Sequence, residues 1–527
     1  MQDDPGHVFV TRGDLTRLAC QAVVVPTSRA VQVNRAWAEL VPLKVRPAGT
    51  GWLDVDVVPP QGWGEQDRVL RLPDDASGRQ VWLARTDAWR RDGVWVAEGV
   101  AEAVRRAAAV LPPPACRDRP LVGVPLAGTG EGGLHDRRGE VVAALLPALR
   151  DVARTTCVDV ALVLHDDQDH SAVQAERAGS QGPGALQLDV EERDRADFLG
   201  RLAGTGHLVL FLGAGISLAA GLPSWKELLL ELTELTGLGA LGLESLPAPD
   251  AAQILYDELG EGFAPLMQKR FTLQHHALAH ALLAGLGADA VVTTNYDNGY
   301  ELAAAAVQSP HRRLRVLPRE HAEPGSPWLL KMHGDVVQPH SIVLTRDSYL
   351  DYGDTSAPLT GMVQALLMTR HMLFVGFSLV DDNFARLAHQ VRRVLHTAEP
   401  SDRRVGTVLA LKSDPARERL WRDDLDHVPM SPVQEDEGRA GDLRAARRLE
   451  IFLDRVAWRA ATVRGGLERS LLDPRYDAML REPSELRLRE RLQELNKSVG
   501  HEERSTQAWA EVQAALVKLG LPATRPH

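Results

Sequence analysis

The chain has 527 residues, of which 44% are hydrophobic and 25% are charged, and its formal net charge is −11 at pH 7. This length allows about three domains with cores of their own, and the composition is that of an ordinary soluble globular protein. The negative charge argues against electrostatic binding of nucleic acid as the main task, and no stretch reaches the ~18 uninterrupted apolar residues of a membrane helix.

The first residues and the cysteines indicate the compartment. The opening MQDDPGHVFV lacks the basic and apolar regions of a secretory signal, so we expect a cytoplasmic protein. The three cysteines are Cys20, Cys116 and Cys157, and their spacing contains no CxxC. Such sparse cysteines suit a reducing compartment and exclude a four-cysteine zinc site, so we expect no bound metal.

Residues 1–176 alternate predicted strands and helices. Strands are predicted at about residues 7–10, 22–25, 69–72, 80–84, 121–126 and 158–166, and helices at about 96–110 and 140–150. Apolar strands that alternate with helices are typical of an α/β layer fold. Residues 177–195 are rich in Gly, Gln, Glu and Asp without apolar periodicity, which predicts a linker.

Residues 196–430 repeat this alternation. A capping box opens a helix at Trp225, because the Ser224 hydroxyl can accept from the Glu227 amide while the Glu227 carboxylate reaches back. Strands are predicted at about 208–212, 290–294, 328–332, 341–345, 371–375 and 405–411, enough for a doubly wound parallel sheet of about six strands. In residues 431–527, apolar residues spaced three and four apart predict a helical C-terminal region.

A glycine turn follows the first strand of the second alternation. Gly213, Ala214 and Gly215 lie where open α/β sheets bind dinucleotides, because glycines let the backbone approach a pyrophosphate and the helix N-terminus supplies amide donors. The next glycine, Gly221, comes six residues after Gly215, so the spacing departs from G-x-G-x-x-G. A tight strand–helix turn explains the same residues equally well.

Polar residues follow three further strands. Asn295 and Asp297 follow VVTT, His333 follows WLLKM, and Ser378 and Asp381 follow MLFV. Each cluster alone is better explained as a cap or a turn. The carboxyl ends of parallel strands share one edge, however, and four polar ends at the edge where doubly wound sheets bind ligands favour a ligand site.

Four motifs in this order, GAGIS…GLPSW, TTNYD, KMHGD and GFSLVDDN, resemble the sirtuin-type NAD-binding domain. They are most similar to its bacterial defence branch, the sirtuin-like NAD glycohydrolases of anti-phage systems such as the Thoeris effector. The resemblance covers about residues 200–430 and implies a Rossmann-like domain with NAD as its substrate. It implies these contacts: Gly213, Ala214, Gly215 and Ser217 at the phosphates, Pro223 and Trp225 near a flexible segment that closes over NAD, Gly376, Ser378 and Asp381 at the adenosine half, and Asn295, Asp297 and His333 around the nicotinamide ribose. The predicted NAD contacts also include Thr294 and Phe377, which lie within the motifs TTNYD and GFSLVDDN.

These residue types suit cleavage of the bond between nicotinamide and ribose. The reaction passes through an oxocarbenium-like state and needs hydroxyl anchors, a base and an apolar seat for the leaving group. Asn295 can bind ribose hydroxyls or orient a water molecule. His333, if neutral near pH 7, can accept a proton from a ribose hydroxyl or from the attacking water. Asp297 can stabilise positive charge or orient the nicotinamide amide, and the sequence leaves both roles open.

A departure from the family pattern indicates which molecule accepts the ADP-ribosyl group when nicotinamide leaves. Sirtuins that deacylate proteins carry a four-cysteine zinc module, whereas this chain has no cysteine after Cys157. Water is therefore the preferred acceptor, with ADP-ribose and nicotinamide as products. Two alternatives stay open: a catalytically silent nucleotide sensor, and an NAD-dependent protein deacylase or ADP-ribosyl transferase.

The stretch QHHALAH raises the question of whether histidines bind a metal ion. His276 and His280 stand four residues apart, but Ala277 occupies the position of the glutamate in H-E-x-x-H. We therefore predict a structural helix that carries both histidines on one face.

Three stretches of the first segment, RGDLTRLACQAVVVPTS, VGVPLAGTGEGGL and VALVLHDD, resemble a macro domain, the ADP-ribose-binding α/β/α module. The resemblance implies that Asp14 contacts adenine and that Gly128, Thr129, Gly130 and Gly132 form a phosphate loop. PTS (Pro26 to Ser28) stands where macro domains carry an Asn-rich loop, so we expect binding without hydrolysis. The alternative is a fold retained for packing or oligomer contacts.

These features together predict an anti-phage abortive-infection effector. An uncontrolled NAD hydrolase would kill its own cell, so we expect one unit to hold the other inactive until a signal shifts the population. The expected activator is an ADP-ribose-like signalling nucleotide or a phage protein, and we expect a homo-oligomer that binds neither membrane nor nucleic acid.

Overall fold

The computed structural model describes residues 4–49, 51–64, 67–87, 91–130, 132–178, 182–307, 312–379, 381–395, 404–431 and 438–522. The chain divides into two compact units. The first unit comprises Met1–Pro114, Arg119–Arg193 and Asp454–His527, and the second comprises Ala115–Asp118 and Asp194–Leu453. These limits differ from the predicted domain boundaries at residues 176, 195 and 430, which stay a prediction.

The first unit contains a large sheet and a small one. Its strands are β1 (Val8–Arg12), β2 (Ala22–Thr27), β3 (Gln32–Asn34), β4 (Val45–Pro47), β5 (Trp52–Val55), β6 (Val69–Arg71), β7 (Gln80–Arg85), β8 (Leu121–Pro125) and β9 (Asp159–Leu164). Six of them form a sheet in the order β1-β9-β8-β2-β7-β6, with β6 antiparallel to β7 and all other neighbours parallel. The other three form the antiparallel sheet β3-β5-β4, which the sequence pattern does not predict.

Helices α1 (Gly93–Ala108), α2 (Arg138–Thr156) and α3 (Asp167–Ala178) complete this α/β unit. Every residue of β8 and β9 is buried, as expected for parallel strands covered by helices. Val100 of α1 and Leu145 of α2 lie in one apolar core with these strands. Asp92 begins α1 by accepting a hydrogen bond from the Trp95 amide. The predicted α/β fold class is confirmed for this unit.

The second unit is built on a fully parallel sheet. Its strands are β10 (Leu208–Leu212), β11 (Ala290–Thr293), β12 (Arg315–Leu317), β13 (Trp328–Lys331), β14 (His371–Val375), β15 (Gly406–Ala410) and β16 (Leu425–Pro429). They lie in the order β12-β13-β11-β10-β14-β15-β16, and every neighbouring pair is parallel. The doubly wound parallel sheet is thus confirmed, with seven strands in place of about six.

Helices precede, connect and follow these strands, and the last described helix ends at Lys518. They are α4 (Val190–Gly204), α5 (Trp225–Thr236), α6 (Ala248–Leu259), α7 (Phe263–Phe271), α8 (Leu278–Gly285), α9 (Gly299–Val307), α10 (Arg346–Thr355), α11 (Ala357–Thr369), α12 (Asp382–Leu395), α13 (Pro415–Trp421), α14 (Arg439–Val463), α15 (Pro483–Ser498), α16 (His501–Arg504) and α17 (Gln507–Lys518). The predicted capping box is present, since Ser224 and Glu227 bond each other's backbone amides at the start of α5. None of the helices in the described ranges is long and apolar enough to cross a membrane.

One local prediction is wrong. Residues 341–345 form no strand, because their backbone supports the neighbouring loops: the Val343 amide donates to the His333 carbonyl, and the Val343 carbonyl accepts from the Tyr296 hydroxyl. The predicted linker at residues 177–195 includes the end of α3 at Ala178 and the start of α4 at Val190, and its role as a linker stays a prediction.

A buried ion pair fixes the C-terminal segment in the first unit. The Asp454 carboxylate accepts from both guanidinium nitrogens of Arg177, and its Oδ2 lies 2.8 Å from His7 Nε2. Arg177 also donates to the Val8 carbonyl at the edge strand β1. Burial raises the pKa of Asp454, but Arg177 and His7 outweigh it and lower that pKa to about 2. The carboxylate therefore stays charged inside the unit.

Candidate active site

The carboxyl ends of four strands meet at one edge of the second unit's sheet. In the register of the sheet, Leu212 at the end of β10 pairs with Thr293 of β11 and with Val375 of β14, and Thr293 pairs with Lys331 of β13. The polar residues that follow these strands therefore start from neighbouring positions. Because β10 has its sequence neighbour β11 on one side and β14 on the other, the strand order reverses there, which is where doubly wound sheets bind ligands.

Three glycines allow two strand-end loops to touch at this reversal. A Cβ on Gly213 would lie 2.5 Å from the Gly376 carbonyl oxygen, and one on Gly215 would lie 2.8 Å from Gly376 Cα. Gly376 itself has a φ of +66°, where glycine is favoured. The Gly213 and Gly215 amides donate to the carbonyls of Val375 and Gly376, both at 3.0 Å. The structure thus uses these glycines for close backbone packing, whereas Ala214 between them is exposed.

Asn295 is held at the end of β11 by its backbone amide and by the nitrogen of its side-chain amide. Its amide donates to the Thr293 hydroxyl at 3.0 Å, and its Nδ2 donates to the Gly213 carbonyl at 3.1 Å. The residue is 9% exposed, and its Oδ1 has no hydrogen-bond partner among the described residues. Thr293 orients Asn295, whereas the predicted contact Thr294 is partly buried beside it. The buried Oδ1 is an acceptor available to a ligand.

A hydrogen-bonded chain connects three buried polar side chains next to Asn295. The Ser217 hydroxyl donates to Asp297 Oδ2 at 2.9 Å and lies 3.3 Å from His280 Nε2. His280 Nδ1 accepts from the Ala277 amide at 3.2 Å, so a neutral His280 carries its hydrogen on Nε2, towards Ser217. Burial lowers the pKa of His280, which favours this neutral form, although Asp297 opposes the shift.

Both oxygens of Asp297 are used inside the protein. Oδ2 accepts from Ser217, and Oδ1 accepts from the Gly299 amide at 2.8 Å at the start of α9. The predicted catalytic carboxylate therefore organises the loop that carries Asn295. Ser217, predicted at the phosphates, is 1% exposed and belongs to the same network.

His333 lies at the end of β13 in a largely apolar setting. It is 4% exposed, and the rings of Tyr349 and Tyr352 of α10 approach it edge to face, with centroids 5.8 Å and 5.5 Å away. Its Nε2 has no hydrogen-bond partner in the described part of the chain, and Asp381 Oδ2 lies 3.6 Å from it. Burial lowers the pKa of His333 below its ordinary value, while Asp381 opposes this shift, so the neutral base predicted from the sequence is favoured.

A cavity of about 250 Å³ extends from the glycine contact along the ends of β14 and β15. Gly376, Phe377 and Ser378, all predicted NAD contacts, line it together with Lys412 and His427. Phe377 also packs in the aromatic core, 4.7 Å from the ring of Phe211. Asp381, predicted to bind the adenosine half, is not among the described residues that line this cavity. The structure places its carboxylate beside His333.

A second cavity, of about 160 Å³, lies on the other side of the site beyond β13. Its wall includes Met332 and Gly334, which flank His333, and the apolar side chains of Leu317 and Val343. This cavity provides partly apolar space next to the histidine strand end.

The helices between β10 and β11 pack in a small core that also includes Tyr296 and Val336 from the strand-end loops. Trp225 packs on this core with Leu228 and Leu232, and Pro223 is buried. Trp225 thus belongs to this core, and the predicted role of Pro223 and Trp225 near a moving segment stays a prediction. His276 precedes α8, which begins at Leu278, so the prediction that His276 and His280 share a helical face is wrong.

The first unit holds a cavity of about 340 Å³ at the carboxyl edge of its own sheet. The predicted loop residues Gly128, Thr129, Gly130 and Gly132 line it, as do Arg138, Asp166 and Asp169 and the indole rings of Trp37 and Trp52. Asp14 is not among the described lining residues, because its carboxylate accepts from the amide and hydroxyl of Thr16. The structure therefore brings the glycine loop to a cavity and leaves Asp14 outside it.

Both sites combine uncharged polar groups with charged side chains, such as Arg138 and Asp169 in the first unit and Asp381 in the second. Among the described residues, no group of three or more His, Cys, Asp or Glu side chains is arranged to hold a metal ion.

Residues 289–428 match the SIR2-like domain family. This SIR2-like stretch begins just before β11 and contains Asn295, Asp297, His333, Gly376 and Asp381. The sheet around it has the parallel order expected of such a domain.

Three named relatives cover a similar part of the chain. NAD(+) hydrolase ThsA of Enterococcus faecium is 33% identical over 201 residues, which are 36% of this chain and 41% of that protein. Defense-associated sirtuin 2 of Bacillus subtilis is 29% identical over 202 residues, 36% of this chain and 20% of that protein. NAD(+) hydrolase ThsA of Acinetobacter baumannii (strain 532279) is 28% identical over 200 residues, 35% of this chain and 39% of that protein. The chain thus spans about two fifths of the two ThsA proteins and about one fifth of the sirtuin.

These matches confirm the predicted resemblance to sirtuin-like defence NAD hydrolases. The macro-like resemblance of residues 1–176 stays a prediction. Among solved structures, the Alphavirus P23pro-zbd aligns at 16% identity with a TM-score of 0.25, over 40% of this chain and 27% of that chain, a score too low to establish a shared fold.

One buried residue of the SIR2-like site was not predicted from the sequence. Lys331 is 1% exposed, and its Nζ donates to the Tyr296 and Asp297 carbonyls and pairs with Glu301 at 2.8 Å. Through these two carbonyls Lys331 holds the loop that carries Asn295. The available signal was a lysine inside the apolar run WLLKM, since lysine is rarely buried without a partner.

Proposed function

We propose that the second unit is an NAD glycohydrolase that cleaves NAD to ADP-ribose and nicotinamide. One buried atom carries the proposal: Asn295 Oδ1 has no hydrogen-bond partner within the described ranges, and His333 follows the strand next to its own. Buried polar atoms without partners are costly and are retained where a ligand completes them. The names of the relatives, which include NAD(+) hydrolase ThsA, support NAD as that ligand.

The proposed reaction balances with water as the second substrate. The bond between ribose C1′ and the nicotinamide nitrogen breaks with its electron pair going to nitrogen, which neutralises the pyridinium ring. Water adds to C1′, and His333 takes a proton from that water or from a ribose hydroxyl. Asn295 Oδ1 accepts a hydrogen bond from the ribose or the water and fixes its position. Asp297 holds the loop of Asn295 through its bonds to Ser217 and Gly299.

The cavities on the two sides of this centre suit the two halves of NAD. The 250 Å³ cavity takes the adenosine half, because Gly376 and Ser378 line it and the glycine contact leads into it. The pyrophosphate crosses near Ala214, which is exposed between the two packed glycines. The 160 Å³ cavity beside Met332 and Gly334 is the seat for nicotinamide, since part of its wall is apolar.

The first unit is the proposed receiver of the activating signal. Its 340 Å³ cavity combines a glycine loop with the rings of Trp37 and Trp52, and these suit a phosphate group and a base. We infer that it binds an ADP-ribose-like nucleotide without hydrolysing it, and that the macro-like resemblance reflects this role. The proposal includes a cytoplasmic homo-oligomer that acts in abortive infection and is held inactive until this ligand or a phage protein binds.

The decisive experiment measures nicotinamide and ADP-ribose release from NAD by the full-length protein, alone and with ADP-ribose-like nucleotides added. Wild type should release both products in equal amounts, and Asn295→Ala and His333→Ala should release neither. His371→Ala is the matched control, because His371 is equally buried but lies at the amino end of β14, bonded to Thr407.

Each other outcome selects an alternative. NAD binding without nicotinamide release under every condition would refute the hydrolase and indicate a silent nucleotide sensor. Turnover that requires an added protein would indicate a protein-modifying enzyme. Equal loss in His371→Ala and His333→Ala would show that the histidine effect is structural.

A further inference from the structure

Asp381 has its two carboxylate oxygens directed to different tasks. Oδ1 accepts from the Phe384 amide at 2.8 Å and so caps the start of α12. Oδ2 faces His333 Nε2 at 3.6 Å and the Tyr349 hydroxyl at 3.5 Å. The helix cap thus fixes a negative charge beside the imidazole.

The surroundings of His333 make this carboxylate its main electrostatic neighbour. The ionisable side chains that face the ring from other elements are Asp381, ahead of α12, and Tyr349 and Tyr352 of α10. On its own strand end, Lys331 and Asp335 each lie two residues away and pair with each other at 3.3 Å. Lys331 is also bonded to two carbonyls of the Asn295 loop and to Glu301 of α9. A buried charge at this distance acts strongly, because little solvent screens it.

We propose that Asp381 is a positioning residue that holds the imidazole hydrogen of His333 on Nε2, so that Nδ1 is the base of the reaction. The hydrogen bond that one ring nitrogen makes sets the tautomer of the other. At 3.6 Å the two atoms are beyond hydrogen-bond distance, and such catalytic contacts tighten when substrate binds. Tyr349 donates to Asp381 and keeps Oδ2 on the histidine side. This inference rests on the proposed function and replaces the adenosine contact that the sequence implied for Asp381.

The two roles of Asp381 predict different kinetics. A contact with the adenosine half binds ground state and transition state alike, so its loss would raise KM and leave kcat unchanged. A carboxylate that positions the base acts on the chemical step, so its loss should lower kcat by about tenfold or more, up to the roughly 100- to 10,000-fold that general-base catalysis contributes. KM for NAD should then stay within about twofold of wild type.

Besides kcat and KM, the pH dependence of kcat tests the role of Asp381. Asp381 raises the pKa of His333 against the effect of burial, so its neutralisation should lower that pKa further. Activity requires the neutral imidazole and is lost when the ring takes up a proton at low pH. The acidic limb of the kcat profile should therefore move to lower pH in the variant.

Asp381→Asn is the informative substitution, because asparagine caps a helix as well as aspartate does but carries no charge. The assay measures kcat and KM for NAD between about pH 5 and 9 for wild type, Asp381→Asn, Asp381→Ala and Tyr349→Phe. Asp381→Asn should show the lower kcat and the shifted limb, and Tyr349→Phe a smaller change in the same direction. A raised KM with unchanged kcat in Asp381→Asn would overturn the proposal, as would loss of activity confined to Asp381→Ala, which would leave capping as the whole role.

A measurement without turnover separates this proposal from the proposed function. The imidazole resonances of the full-length protein, with the His333 signals assigned by their absence in His333→Ala, give the pKa of His333 directly. A lower pKa in Asp381→Asn upholds the pair even if wild type releases no nicotinamide, a result that would overturn the hydrolase alone. An unchanged pKa overturns the pair whether or not NAD is cleaved.

Discussion

Replacing Lys331 with methionine removes a buried positive charge from the support of the active-site loop. Its Nζ lies at the end of β13 and donates to the carbonyls of Tyr296 at 3.0 Å and Asp297 at 2.6 Å. It also lies 2.8 Å from Glu301 and 3.3 Å from Asp335. Methionine keeps most of the apolar volume of the lysine stem, so the substitution tests the charge and its hydrogen bonds.

The expected loss of unfolding free energy is about 3–5 kcal/mol, the usual effect of removing one member of a buried ion pair. Burial raises the pKa of Glu301 and Lys331 opposes this shift, so the pKa of Glu301 should rise further in the variant. A carboxyl whose folded pKa is raised destabilises the fold above its unfolded pKa, and the penalty falls as the folded protein takes up a proton. The loss should therefore be larger at pH 8 than at pH 5.

Urea unfolding at the two pH values measures the stability, and nicotinamide release measures the site. Lys412→Met is the matched control for the stability measurement alone, because Lys412 pairs with Asp442 at 2.7 Å while the two side chains are 43% and 51% exposed. That exposed pair should contribute less than about 1 kcal/mol. If Lys331→Met and Lys412→Met lose the same free energy, the argument that Lys331 supports the Asn295 loop is refuted.

Three further predictions test other parts of the structure. Gly376→Ala places a Cβ 2.6 Å from the Ile216 amide and should abolish NAD binding in calorimetry, whereas Gly221→Ala, with φ of +86° and no atom within 4 Å of its Cβ, should retain it at a cost of about 1 kcal/mol. The pKa of Asp454 is lowered to about 2 from 3.8, so the thermal midpoint of the first unit should fall as the pH drops from about 4 through 2, and Asp454→Asn should remove that dependence. Gly130 lines the first cavity with open space at its Cβ, so Gly130→Leu should block binding of ADP-ribose there without a change in the thermal midpoint.

That the polar strand ends meet at one edge of the sheet could be predicted, because this depends only on which residues form strands and on the direction of those strands. Once β10, β11, β13 and β14 are recognised as apolar parallel strands, their carboxyl ends must lie together. Leu212, Thr293, Lys331 and Val375 are in register as that argument requires. The same reasoning wrongly predicted a strand at Ser341–Thr345. Its β-branched residues indicate an extended chain but do not indicate which backbone partner that chain takes.

The placement of individual side chains could not be predicted in this way. Strand alternation separates Thr293 from Thr294 by one residue, and a one-residue difference decides which hydroxyl reaches Asn295. Asp381 follows the same strand as Gly376, yet its carboxylate turns to His333. The reason is that α12 begins there and its Phe384 amide donates to Asp381 Oδ1. Such orientations follow from helix caps and tertiary contacts that motif spacing does not encode.

The C-terminal segment shows the same limit at larger scale. Apolar periodicity predicted its helices, but not that Asp454–His527 belongs to the first unit while the earlier part of α14 belongs to the second. The deciding contact joins Asp454 to Arg177 and His7, which are 277 and 447 residues away along the chain. A single buried carboxylate in a helical pattern gives no sign of its partners, because either solvent or a distant guanidinium would satisfy it.

Asn295 shows that the structural and functional explanations of a polar strand end apply to different atoms. A residue needed only to end a strand would satisfy both ends of its amide within the protein, since each unsatisfied buried group costs about 1–3 kcal/mol. Nδ2 meets that requirement through the Gly213 carbonyl, whereas Oδ1 does not meet it among the described residues. The same division holds at Asp381, where Oδ1 caps a helix and Oδ2 faces a histidine. In both residues the atom that holds the fold together orients the one that faces the site, so truncation to alanine confuses the two roles and substitution between Asn and Asp separates them.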